Sequence, residues 1–564
     1  MLVQAPATAD QVSGGYIAAL AALDPIAATR MGVPGHDHRL TDYSPEGHRA
    51  RAELARQTRR QAAAIAPAGR RERLALAVLN ERLGAQLALD EAGLTESALS
   101  TASSPVQSLR TVFTHMPAQT AGDWSNIRDR MDGMAEALSG VRRCLERAAA
   151  RGQVTPRGEV LRVAGQCSFW AGDNDHGLSP FEAFAARAWR VRDVPVLAVQ
   201  AAAMAAARAF GEFAEFLRRT LAPMAPEADA IGPDAYELWL RYHLGADADP
   251  VECYEWGLAE LNRAGAQARA LARRISPGTT PAGAAAQLDS DPRYQVHGPE
   301  AYLEWLQQRA DEAIAYLAGR HFDISPEMSV LECVTSMEPE VPVFYTAPSA
   351  GFGRPGRLWW AIPGSGPFSV WRDQTRIHHE GAPGHHLQRA ALVDQGSRLN
   401  AFQRLAGEVD GHGEGWAVSA EDLMAQWGRL DDDGFRFGWL DGHLLRSARV
   451  VADIGLHLAL PVPDGAAGQR WTPGYAVDFL AARTTTSRPQ CRYEVNRYLG
   501  WPGQAPCYKL GGRAWHAARE EARSRLGGRF DPRAFHREAL ALGPVGLDLL
   551  GPQLTEACAE ALTV

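Results

Sequence analysis

A mainly α protein with one small β-sheet is the fold class this sequence predicts, on three observations. Most of the chain before residue 320 repeats apolar residues at three- and four-residue spacing, as helices with one buried face do. A short stretch, 328–362, changes to runs of β-branched and aromatic residues separated by Pro and Gly. Of 564 residues, 46% are hydrophobic and 22% charged, enough apolar material for a large core and unlike the composition of disordered chains.

Taken in order, the amphipathic pattern predicts helices over 72–89, 124–151, 196–221, 250–275 and 300–321. Pro and Gly cluster at 223–233 and 276–283, in breaks too short to be interdomain linkers. No internal repeat is visible. Within 328–362 the runs SVLECV, VPVFYTA and RLWWAIP predict strands, and the edge of the last, 357–362, is expected to pair with a peptide backbone. Helical periodicity resumes from 375, with turns at 461–468 and 500–503. The shift in texture divides the chain into a helical part, 1–322, covering a cleft, and a part carrying the chemistry, 323–564, the two forming one compact body.

With 58 basic and 66 acidic side chains the formal charge is −8, which provides no basic footprint for nucleic acid. The first 25 residues lack the order of basic, apolar and small residues of a secretory signal, and no later run reaches about eighteen uncharged apolar residues. The expectation is a cytoplasmic protein without a membrane partner. Seven scattered cysteines without a CxxC pair predict buried free thiols rather than disulfides or a thiolate zinc site. The acidic run 431–433 reads as a solvated turn, with too few oxygen ligands for calcium.

The chemistry concentrates where His378, His379, His385 and His386 fall within nine residues, out of 17 histidines in the whole chain. Imidazole is the commonest protein ligand for zinc, and Glu380, beside His379, stands where a general base for metal-activated water belongs. The usual helical pattern HExxH is absent, because Pro383 stands four residues after His379. In an unbroken helix His379 and His385 would diverge by about 120° and lie about 9 Å apart along the axis, too far round to share an ion. A bend at Pro383-Gly384 is the remedy, returning His385 to the face of His379. His386 offers the alternative register, and His378 a second-sphere or substrate contact.

The segment HHEGAPGHHLQ (378–388) resembles the HExxPGHHxQ motif of the bacterial domain-of-unknown-function family 885, grouped with zincin-like metallopeptidases. Three further blocks follow in order: EGWAVSAE (414–421), RVVADIGLH (449–457), and EVNRY (494–498) continued by WPGQAPCYK (501–509). Ala452, Ile454, Ser419 and the pair Pro506-Cys507 depart from the family pattern, and none of them removes a candidate ligand. The resemblance implies a large helical zincin-like fold with a small sheet beside the active-site helix. It also implies one zinc ion held in gluzincin fashion by His379, His385 and Glu414, with Glu408, Asp410 and His412 as competing ligands. Glu421, about 10 Å further along a helix, is expected to pair with an Arg or His instead. Glu380 takes the role of general base, and Tyr508, then Tyr498 and His457, that of oxyanion donor. Arg497 and Lys509, with His386 and His378, are the expected substrate contacts. Asp453 beside Arg449 is read as architectural, and Trp359, Trp360 and Trp416 as pocket lining. The expected activity is hydrolysis of an amide in a small peptide or acylated amino acid. The alternatives are a hydrolase or tailoring enzyme for a non-peptide metabolite, and a metal-binding scaffold without turnover.

Overall fold

The computed structural model describes residues 8–174, 177–336, 343–465 and 468–561. The first seven residues, on which part of the N-terminal reading rests, and Val341 and Pro342 of the second strand run lie outside them. The chain forms two units: Met1–Trp239 with Leu456–Pro473 and Tyr493–Pro502, and Leu240–Gly455 with Gly474–Arg492 and Gly503–Val564.

The first unit is built around the helix Val196–Phe216, whose face of Ala202, Ala203, Ala206, Phe210 and Phe213 is buried. Alanines let the helices Ala121–Asp132, Met134–Ala150 and Arg157–Trp170 approach closely, while Phe210 stacks on Phe181 at 5.3 Å. The stretch Val196–Met224 is long and apolar enough to cross a membrane by length and composition, although Arg208 and Glu212 interrupt its apolar run. The same residues are the centre of a helical core, which accounts for their hydropathy. The helix expected over 124–151 is interrupted at Gly133, where glycine's poor helix propensity allows one helix to end and the next to begin.

In the second unit the helix Pro250–Ile275 forms over the expected residues, with Asp249 capping its first turn. Gly257 lets it pack against Val450 and Val451 of the helix Asp433–His457. Pro299–Leu317 lies against Asp373–Glu380, where Tyr302 donates to Asp373 at 2.7 Å. Because these helices pack on the motif helices, the boundary expected at 322/323 falls inside this unit.

The strands are β1 (Gln295–Val296), β2 (Leu331–Thr335), β3 (Val343–Thr346), β4 (Gly356–Trp360) and β5 (Phe368–Ser369). β1 and β5 make a short antiparallel pair, and the others a mixed sheet in the order β2-β4-β3. Leu331 pairs with Gly356 in the parallel ladder and Val343 with Trp360 in the antiparallel one. β4 is therefore central, with both edges occupied, which corrects the expectation that it pairs with a substrate backbone. Its alternation buries Leu358 and Trp360, and the sheet rests on the helices Asp373–Glu380 and His385–Asp394.

His536 gives this unit a pH-dependent stability. Burial pushes its ring down to about 4 from the usual 6.5, although its Nδ1 donates to the His321 carbonyl at 3.0 Å. The unfolded chain takes up a proton near 6.5 while the folded one resists until about 4, so stability is lost as the pH falls through that window. The expected loss is up to about 3 kcal/mol. Denaturant unfolding at pH 7.5, 6 and 4.5 is expected to show a falling midpoint, with a shallower fall in His536→Phe; equal slopes in the two proteins would refute this assignment.

Candidate metal centre

His379 sits in the last turn of Asp373–Glu380, and His385 is the first residue of His385–Asp394. The chain between them does not kink a continuous helix but ends one and starts another. Gly381 N–H donates to the Ile377 carbonyl, Gly384 N–H to His378 (3.0 Å) and His386 N–H back to Gly381 (3.1 Å). A Cβ at Gly384 would overlap the His379 carbonyl, so only glycine closes this turn. Trp416 clamps it from the next motif, its indole N–H donating to the Pro383 carbonyl at 2.9 Å. The two imidazoles are thereby brought to 5.0 Å between centroids, nearly perpendicular.

Glu414, on the helix Asp410–Gln426, completes the cluster: Oε2 lies 3.3 Å from His379 Nε2 and 3.5 Å from His385 Nε2. The three ligand atoms all fall within 4.8 Å of one another. Ligands at zinc bond lengths of about 2.05 Å in a tetrahedron stand about 3.3 Å apart, so the spacing fits one small cation. The same Oε2 is buried and makes no hydrogen bond, a costly arrangement for a carboxylate oxygen. Donor types, spacing and orphaned oxygen all fit zinc.

A buried second sphere fixes His379. Its Nδ1 donates to Glu421 Oε1 at 2.7 Å, which turns Nε2 toward Glu414. Glu421, wholly buried, also accepts from Arg446 at 2.7 Å and from the Thr375 hydroxyl at 2.6 Å. Burial and Arg446 push the His379 ring down, but the Glu414 and Glu421 carboxylates outweigh them and hold it up at about 9. Burial raises the Glu380 carboxyl above its usual range, Glu414 adding to the effect and the two imidazoles opposing it. Tyr508 stacks on His379 at 6.3 Å, and the Arg449 guanidinium lies 5.0 Å over the Tyr508 ring.

Tyr508 reaches this position because Asp410–Gln426 and Cys507–Leu526 cross with their backbones in contact at Gly411, Gly415 and Gly511. A side chain at Gly415 would overlap the Gly511 backbone. Gly415→Val is expected to lower stability by about 3 kcal/mol and to weaken metal binding by displacing Glu414. Thermal unfolding and metal titration check it, and a variant with unchanged metal affinity would show that the crossing does not set the cluster.

Other expected site residues lie elsewhere. His386 turns under the sheet, Nε2 donating to the Met328 carbonyl (2.9 Å) and Nδ1 facing the Tyr345 hydroxyl (3.1 Å). Gly356 leaves it room, since a Cβ there would come within 2.6 Å of Nδ1. His378 is buried against Gln374 and the Ala382 carbonyl. Burial holds both rings near 4, and neither is accessible to substrate. Lys509 is buried between Glu260 (3.0 Å) and His443 (3.1 Å). His457, Tyr498 and Arg497 belong to the first unit. There His457 and Tyr498 are fully buried, His457 donating to the Tyr498 carbonyl at 3.0 Å and stacking on Tyr236, and Arg497 pairs with Glu494 at 3.1 Å. Closed off from solvent, His457 and Tyr498 are architectural rather than oxyanion donors, and Arg497 is committed to its ion pair. Of the competing ligands, Glu408 pairs with Arg389, Asp410 with His243 (2.6 Å), and His412 faces Gln388 (3.3 Å). Trp360 and Trp416 are core rather than pocket lining, and Trp359 stacks on Phe344 at 5.9 Å. Asp453 is architectural, accepting from Gly503 N–H at 3.0 Å. Arg446 and Thr375 were missed: Arg446 precedes the recognisable block by three residues, and nothing in its local spacing marks it as the partner of Glu421.

The profile of a bacterial protein family of unknown function, DUF885, matches residues 25–554. Among solved structures, a protein described as a putative lipoprotein from Colwellia psychrerythraea is similar with a TM-score of 0.84 at 20% identity, over 98% of this chain and 100% of that one. A putative lipoprotein of unknown function from Shewanella oneidensis gives 0.71 at 16% identity, over 98% and 99%. At these identities the likeness is one of fold. No curated protein matches the sequence.

Proposed function

Because the chain belongs to the bacterial family DUF885, described only as of unknown function, we propose from the cluster itself that it is a zinc-dependent hydrolase of zincin-like, gluzincin type. The observation that carries this reading is the orphaned Glu414 Oε2 at tetrahedral-edge distances from two imidazole nitrogens, beside a carboxyl that has no ion-pair partner among the described residues, Glu380. His379, His385 and Glu414 would hold the ion. Once bound, zinc supplies Lewis acidity that acidifies water and polarises a carbonyl. Glu380, its proton affinity raised by burial, takes a proton from water and returns it to the departing amine. Tyr508, stacked on His379, donates its hydroxyl to the developing oxyanion. Glu421, Arg446 and Thr375 keep His379 in one tautomer and orientation.

The substrate class is an amide in a small peptide or acylated amino acid. The seven buried free cysteines suit a reducing compartment, and on that chemistry we place the protein in the cytoplasm. Recovery in the envelope fraction, as the names of its structural neighbours suggest for them, would overturn that placement.

The deciding experiment combines metal analysis with dipeptides and acylated amino acids as substrates. One zinc per chain is expected, lost in His379→Ala and His385→Ala, with hydrolysis that depends on it. A chain that takes up zinc and turns over nothing would favour a scaffold; turnover of non-peptide amides alone would redirect the substrate class.

A further inference from the structure

The helix that carries Glu414 and Glu421 also contributes Asp422 to a second cleft of 380 Å³, within the same unit. That volume lies in the range of small-molecule sites, about 300–1,000 Å³. Four fixed cations line it, Arg263, Arg436, Lys509 and Arg513, against two carboxylates, Glu260 and Asp422. In a chain of formal charge −8 this is a local reversal of sign.

Neither carboxylate is left over to balance the excess. Glu260 is shared, accepting from Arg263 at 2.8 Å and from Lys509 at 3.0 Å. Asp422 is saturated by three N–H donors: His443 at 2.8 Å, His516 at 2.8 Å and the Trp439 indole at 2.9 Å. Arg513 pairs with Glu252, which is not part of the lining. Arg436 has no carboxylate among the described residues; one amine reaches the Ala425 carbonyl at 3.2 Å, and the guanidinium lies 4.6 Å over the Trp439 ring. Across the lining Arg513 lies 4.9 Å over Trp256. A half-buried guanidinium without a counter-charge over one indole, with a second indole in the same lining, suits a ligand with an anionic head and a flat apolar body.

We infer that this cleft binds a small organic anion, its carboxylate or phosphate head on Arg436 and its flat body against Trp256 and Trp439. The inference is independent of hydrolysis at the zinc cluster, and its test is built to stay so. The full chain is titrated both as purified and freed of metal, so that an anion held through an ion at the zinc cluster is distinguished from one in this cleft. Benzoate, phenyl phosphate and neutral benzyl alcohol are titrated by calorimetry. One saturable site is expected for at least one of the two anions, weakened tenfold or more in Arg436→Gln and in Arg513→Gln, with circular dichroism confirming that both variants fold. The stronger of the two anions identifies the head group. Absence of saturation by both anions, equal binding of benzyl alcohol, or affinity unchanged in both arginine variants would overturn the site.

Discussion

Glu380→Gln is expected to abolish hydrolysis while leaving metal content intact. The amide is nearly isosteric with the carboxyl, but it cannot take a proton from water or return one to the leaving amine. General-base catalysis is commonly worth about 10²–10⁴ in rate, and in the proposed reaction the same group serves both transfers, so a fall in kcat of about 10³ or more is expected. KM should change little, since Glu380 makes no ion pair among the described residues and is not one of the three clustered ligands. Glu380→Asp keeps the charge but withdraws it by one methylene, and it should retain a few per cent of the activity. If Glu380→Gln kept wild-type turnover, the base would have to be another group; if it lost both zinc and turnover, Glu380 would be a ligand. Zinc content and kcat measured on the same preparation separate these outcomes.

How much was legible in the sequence follows from how far each contact reaches. The pairing of His379 with His385 was readable because the anomaly and its remedy, Pro383-Gly384, lie within seven residues. The small sheet was readable from β-branched and aromatic runs, but its strand order was not. The partners of β4 come from 25 residues earlier in one ladder and 11–17 in the other, and periodicity does not say which of three strands is central. Helical positions were readable only as far as direction was. Tyr508 and Lys509 are neighbours in sequence, yet about 100° of rotation separates them, so one stacks on His379 and the other is buried against Glu260. His457 and Tyr498 carry the right atoms for catalysis, and only burial discloses that they serve packing. Arg446 was hidden for the opposite reason: its significance depends wholly on a carboxylate 25 residues away in the chain, Glu421.

Glu421→Gln is expected to have the second large effect, and on two observables at once. A carboxylate on the far nitrogen of a metal-binding imidazole strengthens the ligand and holds its tautomer, and loss of such a partner typically costs 10–100-fold in metal affinity. The glutamine keeps the size and one acceptor for His379 Nδ1, so the ring stays in place and the charge is what changes. Arg446 is then left without its carboxylate in a site where Glu421 is wholly buried, and removing one member of a buried pair costs about 3–5 kcal/mol. Thr375→Val separates the two contributions, since it removes one hydrogen bond to Glu421, worth about 1 kcal/mol, and leaves the charge in place. Metal affinity by competition with a chelator and stability by denaturant unfolding should therefore fall together in Glu421→Gln, whereas in Thr375→Val stability falls slightly and metal affinity holds. Unchanged zinc affinity in Glu421→Gln would mean that Glu421 supports Arg446 and the helix packing alone, and that the orientation of His379 is set by the turn at Pro383-Gly384.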